Sequence, residues 1–305
     1  MLLAILFYNS YVYFDKDKLS RIVFVSLLCA MFVDTAISQM AQNHIAFNVI
    51  IMGPLGYYFL KKYPVRIFYG LSLVILMILN GSRTGAILSI LQFILFLALF
   101  SPSLSRKVGF IVMILLLIGV GFNIAPARIK AGEIITPINA RVGEFLQDPE
   151  RVFRNDMSWL QRKAQINKGF QIFHERPLFG IGIFNFPQYY VDIDVSNIET
   201  DRQSIRNIDH RSSHNTYIGL LAETGLLGFS IIILMFGLAL WPFIKNLNNL
   251  GSSFESCMFI SLIGLLIYFY FISGFFGTSA WIIYGLVLGA SKSLRSKELS
   301  SLEKV

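Results

Sequence analysis

The sequence predicts an all-α integral membrane protein of about nine transmembrane helices, with one large extracytoplasmic loop between the sixth and the seventh. Three observations predict it. Hydrophobic residues make up 55% of the 305 positions and charged residues only 14%, with a mean hydropathy of +0.62. That is too little charge to cover a soluble domain of this length. Apolar runs of near-membrane length recur along the chain. One polar interruption, from about Phe122 to Tyr217, holds 12 of the 26 Lys+Arg and 11 of the 18 Asp+Glu.

Taken in order, the apolar segments are 2–14, 22–40, 45–60, 65–80, 84–100, 108–125, 216–243, 254–273 and 277–291. The first is short and Asp34 interrupts the end of the second, so eight spans is the alternative count. Pro54 and Pro242 fall in or near helices, where membrane proteins tolerate them. Within the polar interruption, Pro126, Pro137, Pro149, Pro177 and Pro187 punctuate the chain. The stretch 156–175 has the composition of one helix ending before Pro177. Its apolar residues Trp159, Ile166, Phe170 and Phe173 recur at roughly helical spacing, which suits packing on a membrane surface or helix bundle. Residues 191–212 mix acids and arginines without periodicity and read as a surface loop.

Basic residues fix the orientation. Lys16, Lys18 and Arg21 follow the first segment, Lys61, Lys62 and Arg66 the third, Arg106 and Lys107 the fifth, and Lys245 the seventh. Lys292, Arg295, Lys297 and Lys304 follow the last. The alternate short loops hold only Arg83. The positive-inside rule puts the basic set in the cytoplasm and the polar segment, 126–215, outside. The whole chain, 1–305, reads as one polytopic membrane domain. Its first helix starts outside without a cytoplasmic leader, which marks a shortened member of a larger architecture or a start lying upstream. The net charge of +8 is explained by membrane anchoring rather than nucleic-acid binding. Cys29 and Cys257 lie in apolar runs and suggest no disulfide framework. His44, His174, His210 and His214 show no metal-ligand spacing, so no metal or cofactor is expected.

Ionisable groups at the outer membrane face are the candidates for chemistry. Arg83 stands in Asn80-Gly81-Ser82-Arg83-Thr84-Gly85, an outward turn between two apolar helices. Its planar fork suits a phosphate, and the flanking glycines would let a ligand approach the backbone. Arg162 lies in the expected loop helix, ahead of Pro177-Leu178-Phe179-Gly180-Ile181-Gly182. That Gly-x-Gly pair signals a turn and lacks the context of a dinucleotide fingerprint. Arg151, Arg154, Lys163 and Arg176 compete with Arg162 for an anion-binding role, and Arg211 is a further supporting candidate. His214 precedes a long apolar helix that Ser213 or Asn215 would cap. The positive end of that helix favours a neutral ring able to accept a proton. Glu223, ~13 Å further along the helix axis, is too far to orient His214 directly and suits a structural role.

These motifs, in this order, resemble the O-antigen ligase and O-antigen polymerase superfamily over roughly 70–240. They are Ser82-Arg83-Thr84-Gly85, Arg162, Pro177-Leu178-Phe179-Gly180-Ile181-Gly182, Phe186, His214-Asn215-Thr216-Tyr217 and Ala222-Glu223-Thr224-Gly225-Leu226-Leu227-Gly228. The resemblance implies a metal-independent, inverting glycosyltransferase with a mostly helical fold. It acts on a glycan carried by undecaprenyl pyrophosphate, at the outer face of the bacterial cytoplasmic membrane. Polymerisation of O-antigen, capsule or exopolysaccharide repeat units is the first expectation. Ligation of the glycan to lipid A–core or another acceptor is the alternative, and transport of the lipid-linked glycan a further one. A chain-length regulator and a flippase of the same pathway are the implied partners. By motif position, Arg83 and Arg162 would bind pyrophosphate and His214 would be the catalytic base. Arg151, Arg154, Arg211 and Glu223 would support them. The chain departs from the family pattern at Ile166, where tryptophan is frequent, which keeps Arg154 and Arg151 open as alternatives to Arg162. It also has nine expected spans where ten to twelve are usual.

Overall fold

The computed structural model describes residues 4–5, 8–9, 18, 21, 25, 42–100, 109, 112, 125–137, 140–155, 157–190, 213–247, 250–251, 253–272 and 278–302. Eleven helices are built from these residues. They are α1 (Gln42–Met52), α2 (Pro54–Phe59), α3 (Tyr63–Leu79), α4 (Arg83–Phe100), α5 (Ala125–Ile135), α6 (Ala140–Gln147), α7 (Pro149–Asn155), α8 (Met157–Glu175), α9 (Thr216–Lys245), α10 (Phe254–Tyr268) and α11 (Thr278–Leu302). No strand occurs among the described residues. The expected segments 45–60, 65–80, 84–100, 216–243, 254–273 and 277–291 coincide with α1–α2, α3, α4, α9, α10 and α11. Those at 2–14, 22–40 and 108–125 lie largely outside the described residues. Two described helices, α4 and α9, are long and apolar enough to cross a membrane. Residues 45–59, α3 and α10 are shorter apolar helices.

The polar segment holds more helix than its sequence suggests. The expected helix over 156–175 is present as α8, but α5, α6 and α7 precede it. Their prolines begin helices: Pro126 is second in α5 and Pro149 first in α7. A missing N–H costs nothing at those positions. The α5–α6 corner is tied by Thr136, whose Oγ1 donates to the Gly132 carbonyl and accepts from Gln147 Nε2.

The chain divides into two compact units. One takes the described residues of 1–148, 239–268 and 276–305; the other takes those of 149–238 and 269–275. In the first, α10 is buried along most of its length. The buried Gln92 of α4 donates from Nε2 to the carbonyls of Ile50 on α1 (2.6 Å) and Ile260 on α10 (3.3 Å), joining three helices. Gly264 leaves room for that amide, because a side chain there would collide with Gln92 Nε2. The Tyr57 ring stacks on Phe96 at 4.0 Å, and the Tyr69 hydroxyl donates to the Gly53 carbonyl. Arg66, read as a cytoplasmic loop charge, bonds the Leu60 carbonyl and lies over the Phe100 ring.

In the second unit α9 is not straight. Gly225 has φ +64°, ψ −171°, and interrupts the helix. Tyr217 and Phe236 both pack on the Phe269 ring, with centroids 6.4 and 6.0 Å away. A straight helix would set those two residues ~28 Å apart along its axis. Sharing one aromatic neighbour requires a sharp bend between them. The segment expected as one uninterrupted helix is therefore two arms, 216–224 and 226–245. The physical reason is Gly225, whose lack of a Cβ permits the left-handed turn.

Candidate functional site

The break at Gly225 leaves backbone groups on both arms of α9 without helical partners. The segment after α8 supplies them. Leu226 N–H donates to the Pro177 carbonyl (2.8 Å) and Leu227 N–H to the Leu178 carbonyl (3.3 Å). In return Ile181 N–H donates to the Ala222 carbonyl (3.1 Å) and Gly182 N–H to the Glu223 carbonyl (2.8 Å). Glycine is required on both sides of this exchange. A Cβ at Gly180 would strike Glu223 and Ala222, and one at Gly225 would strike Leu178 and Phe179. Both have positive φ as well. The Gly-x-Gly turn and the Glu-Thr-Gly motif are thus two halves of one interlock.

Glu223 is buried within it. Its Oε1 accepts the Phe186 N–H at 3.1 Å, and the Phe184 N–H donates to the same carboxylate. This fits the structural role expected from its distance to His214. Around the carboxylate, Ile172 of α8, Phe186 and Ala222 form a buried cluster.

The same contacts set the register of α8 against the first arm of α9. Gly169 lies against Ile218, and a Cβ there would collide with that side chain. Ile172 and Ala222 belong to one buried cluster with Phe186, and past the end of α8 the Pro177 carbonyl accepts from Leu226 N–H. Gly169 beside Ile218 and Pro177 beside Leu226 rise together in number, which gives α8 and the first arm the same sense. Arg162, Gln165, Gly169 and Ile172 form one stripe at helical spacing. Arg162 and Gln165 lie N-terminal to the Gly169–Ile218 contact on α8, as His214 does ahead of α9. Arg162 is half-buried and Gln165 fully buried. Of the apolar residues expected at helical spacing, Phe170 is exposed, Ile166 and Phe173 are half-buried, and the Trp159 side chain lies outside the described residues; among the described side chains of α8 the buried positions are Ala164, Gln165, Lys168, Gly169 and Ile172. Close helix approach at Gly169 selects small and polar residues for the contact.

His214 has φ +47° and immediately precedes the cap of α9. Of the two expected capping residues, Asn215 performs the role: its Oδ1 accepts the Ile218 N–H at 3.1 Å. The Ser213 hydroxyl instead donates to the Asn215 carbonyl at 2.7 Å. Thr216 anchors the helix start by donating its N–H to the Phe269 carbonyl (2.7 Å) and its hydroxyl to the Ile272 carbonyl. His214 is thus fixed on a short, well-bonded turn, half-exposed.

Arg83 belongs to the first unit, as the first residue of α4. Gly81, with φ +74°, ends the turn after α3, and the Ser82 Oγ caps α4 by accepting the Gly85 N–H at 3.1 Å. The flanking glycines serve the turn and the packing. A Cβ at Gly85 would lie 2.9 Å from Ala46 Cβ and 3.1 Å from Met77 Sδ. Arg83 is half-buried.

Of the supporting candidates, Arg151 is exposed on α7, and Arg154 lies on the same helix, with its side chain outside the described residues. Arg211, His210 and the 191–212 loop also lie outside them, as do Asp34 and Cys29. Two residues escaped the sequence reading. Lys168 is fully buried, with Nζ 5.4 Å from the Phe186 ring centroid. Gln165 is fully buried, and neither its Oε1 nor its Nε2 has a hydrogen-bond partner. Their helical spacing from Arg162 was the available signal. Among the described residues, no group of three or more His, Cys, Asp or Glu is placed to hold a metal ion.

Residues 67–233 match the protein family Wzy_C, described as O-antigen ligase. The match takes in Arg83, Arg162, His214, Glu223 and both halves of the interlock, close to the 70–240 over which the motifs suggested a resemblance. No curated protein matches the chain.

Proposed function

We infer the reaction from one premise: the chain belongs to the O-antigen ligase family, and is a membrane protein of polysaccharide biosynthesis. It transfers a glycan from undecaprenyl pyrophosphate to an acceptor hydroxyl at the outer face of the bacterial cytoplasmic membrane. The sequence reading leaned towards repeat-unit polymerisation. The family's description favours ligation, so transfer to lipid A–core or another acceptor is the leading assignment. The assignment retains the nine-span topology with 126–215 outside.

The observation that supports this reading is the contact of Gly169 on α8 with Ile218 on α9, since Arg162 and His214 both precede it in their own segments. His214 takes the proton of the acceptor hydroxyl. The acceptor oxygen bonds the anomeric carbon from the face opposite the carrier, and the carbon–oxygen bond to the pyrophosphate breaks. The electron pair leaves with undecaprenyl pyrophosphate, inverting the anomeric centre without a covalent intermediate. Arg162 and Arg83 neutralise the charge that grows on the leaving group. Of the competing arginines, the stripe on α8 favours Arg162. A flippase and a chain-length regulator of the same pathway would supply and limit the donor glycan.

The test is transfer by the purified protein in liposomes carrying the lipid-linked donor and acceptor. Glycan on the acceptor indicates ligation, lengthened glycan still on the carrier polymerisation, and relocation without product transport. His214→Ala should lower transfer about 10²- to 10⁴-fold. Unchanged transfer by folded His214→Ala removes the base from the mechanism. Full activity in Arg162→Ala with loss in Arg154→Ala or Arg151→Ala moves the pyrophosphate role to α7.

A further inference from the structure

We propose that residues 178–184, although part of the polar segment, are seated in the outer edge of the bilayer's hydrocarbon and form a lipid-contacting wedge. The proposal rests on the reading that α9 crosses the membrane with its Thr216 end outward. After Gly225 the second arm has about 20 residues and is ~30 Å long, the thickness of the hydrocarbon core. The break therefore falls at the edge of that core. The interlock bonds the Pro177 and Leu178 carbonyls to Leu226 and Leu227, the first residues of this arm. The loop is thereby fixed at the same depth.

Its side chains suit that depth. Leu178, Phe179, Ile183 and Phe184 are all exposed, Phe179 by 74% and Phe184 by 65%. On the arm, Leu226, Leu227, Ile231 and Leu234 are exposed too, so one apolar surface continues from span to loop. Such continuity with a membrane-crossing face identifies bilayer lipid as the occupant.

The backbone suits it as well. Irregular chain at membrane depth persists only where its polar groups are satisfied. Here four of the seven N–H groups of 178–184, those of Gly180, Ile181, Gly182 and Phe184, are bonded to Arg176, Ala222, Glu223 and the Glu223 carboxylate, and Phe186 N–H just beyond joins the same carboxylate. Phe184 holds φ +67°, a conformation bulky residues seldom adopt. It gives Glu223 its N–H while its ring faces outward. Tyr189 closes the loop by donating to Glu175 Oε2 at 2.6 Å, an arrangement suited to the interface.

Nitroxide labels at Phe179→Cys and Phe184→Cys, in a Cys29→Ser, Cys257→Ser background, test this in phospholipid liposomes without polyprenyl lipid. Leu234→Cys serves as the hydrocarbon reference and Asn167→Cys, on the exposed side of α8, as the water reference. We expect the labels at 179 and 184 to be relaxed more by oxygen than by a nickel chelate, as at 234, and the reverse at 167. Nickel accessibility at 179 and 184 equal to that at 167 overturns the proposal. So does a hydrocarbon signature that develops only on adding undecaprenyl phosphate, which would make the donor's chain the occupant. Spin–spin broadening between labels would indicate a second copy and overturn it too. None of these readouts requires glycan transfer. A protein that inserts the loop but transfers nothing defeats the proposed reaction alone. Retained transfer with water-exposed labels defeats the wedge alone.

Discussion

The α3–α4 turn and the α8–α9 interlock solve the same problem by different means. Each joins two helices and each uses a glycine of positive φ. In the turn Gly81 reverses the chain and Ser82 caps α4 through Gly85, three residues on. In the interlock a helix is opened in its middle, and the freed backbone groups are satisfied by residues far away in the chain. The interlock exists only once α8 and α9 have docked. It therefore links the helix that follows His214 to the docking of α8 and the turn at 177–186, whereas Arg83 sits at the start of the helix that Ser82 caps.

That contrast is broken most directly at Gly225. A Cβ there meets Leu178 and Phe179, and the φ of +64° strains any other residue. Gly225→Ala should destabilise the protein by on the order of 3 kcal/mol or more, and glycan transfer should fall with it. Gly237, on the same helix, has nothing within 4 Å of an added Cβ. Gly237→Ala should stabilise by up to about 1 kcal/mol. Thermal unfolding in detergent of both variants checks the pair. Equal effects would mean that the interlock does not hold the bend.

How much was legible follows the same divide. The apolar helices α3, α4 and α10 are visible in composition alone, because burial in lipid or in other helices demands unbroken apolar runs. The α9 cap lies next to its helix and is readable as local chemistry to the choice of Ser213 or Asn215; the Ser82 cap of α4 is a finding of the structure. Gly225 was visible as a motif residue, but not as a break. An isolated glycine in an apolar helix is tolerated, and the loop that rewards the break is distant in sequence. The contact stripe of α8 is hidden for a related reason. The apolar spacing of Ile166, Phe170 and Phe173 marks another side of the helix, while Gly169 admits Ile218 so closely that the buried positions beside it are Gln165 and Lys168. Helix α7 is hidden in the sequence because Pro149 reads as punctuation, although it is a first helical residue.

Glu223 offers a finer test of the interlock. Two loop N–H groups, those of Phe184 and Phe186, end on its carboxylate. Glu223→Ala leaves both without that acceptor and should cost about 2 kcal/mol, whereas Glu223→Gln keeps an acceptor oxygen and should cost about half as much. Chemical denaturation of the two variants reads the difference. If both lose transfer completely while their stability stays at the parent level, Glu223 acts in the reaction and its structural assignment fails.

The smallest effect concerns Gln165 and separates packing from chemistry on the α8 stripe. Its amide is buried with neither atom hydrogen-bonded, and an unsatisfied buried polar group lowers stability. A purely structural position would gain from losing it. Gln165→Met keeps the side-chain length and removes the amide, so stability should rise by about 1 kcal/mol. The position lies one turn from Arg162, N-terminal to the Gly169–Ile218 contact. An amide can both donate to and accept from a sugar hydroxyl, and a bound glycan would supply the partner it lacks. Transfer by Gln165→Met should therefore fall about tenfold, through KM for the glycan, even as the protein becomes more stable. A more stable variant with unchanged KM would make the unpaired amide a packing defect. It would also confine substrate contact on α8 to Arg162.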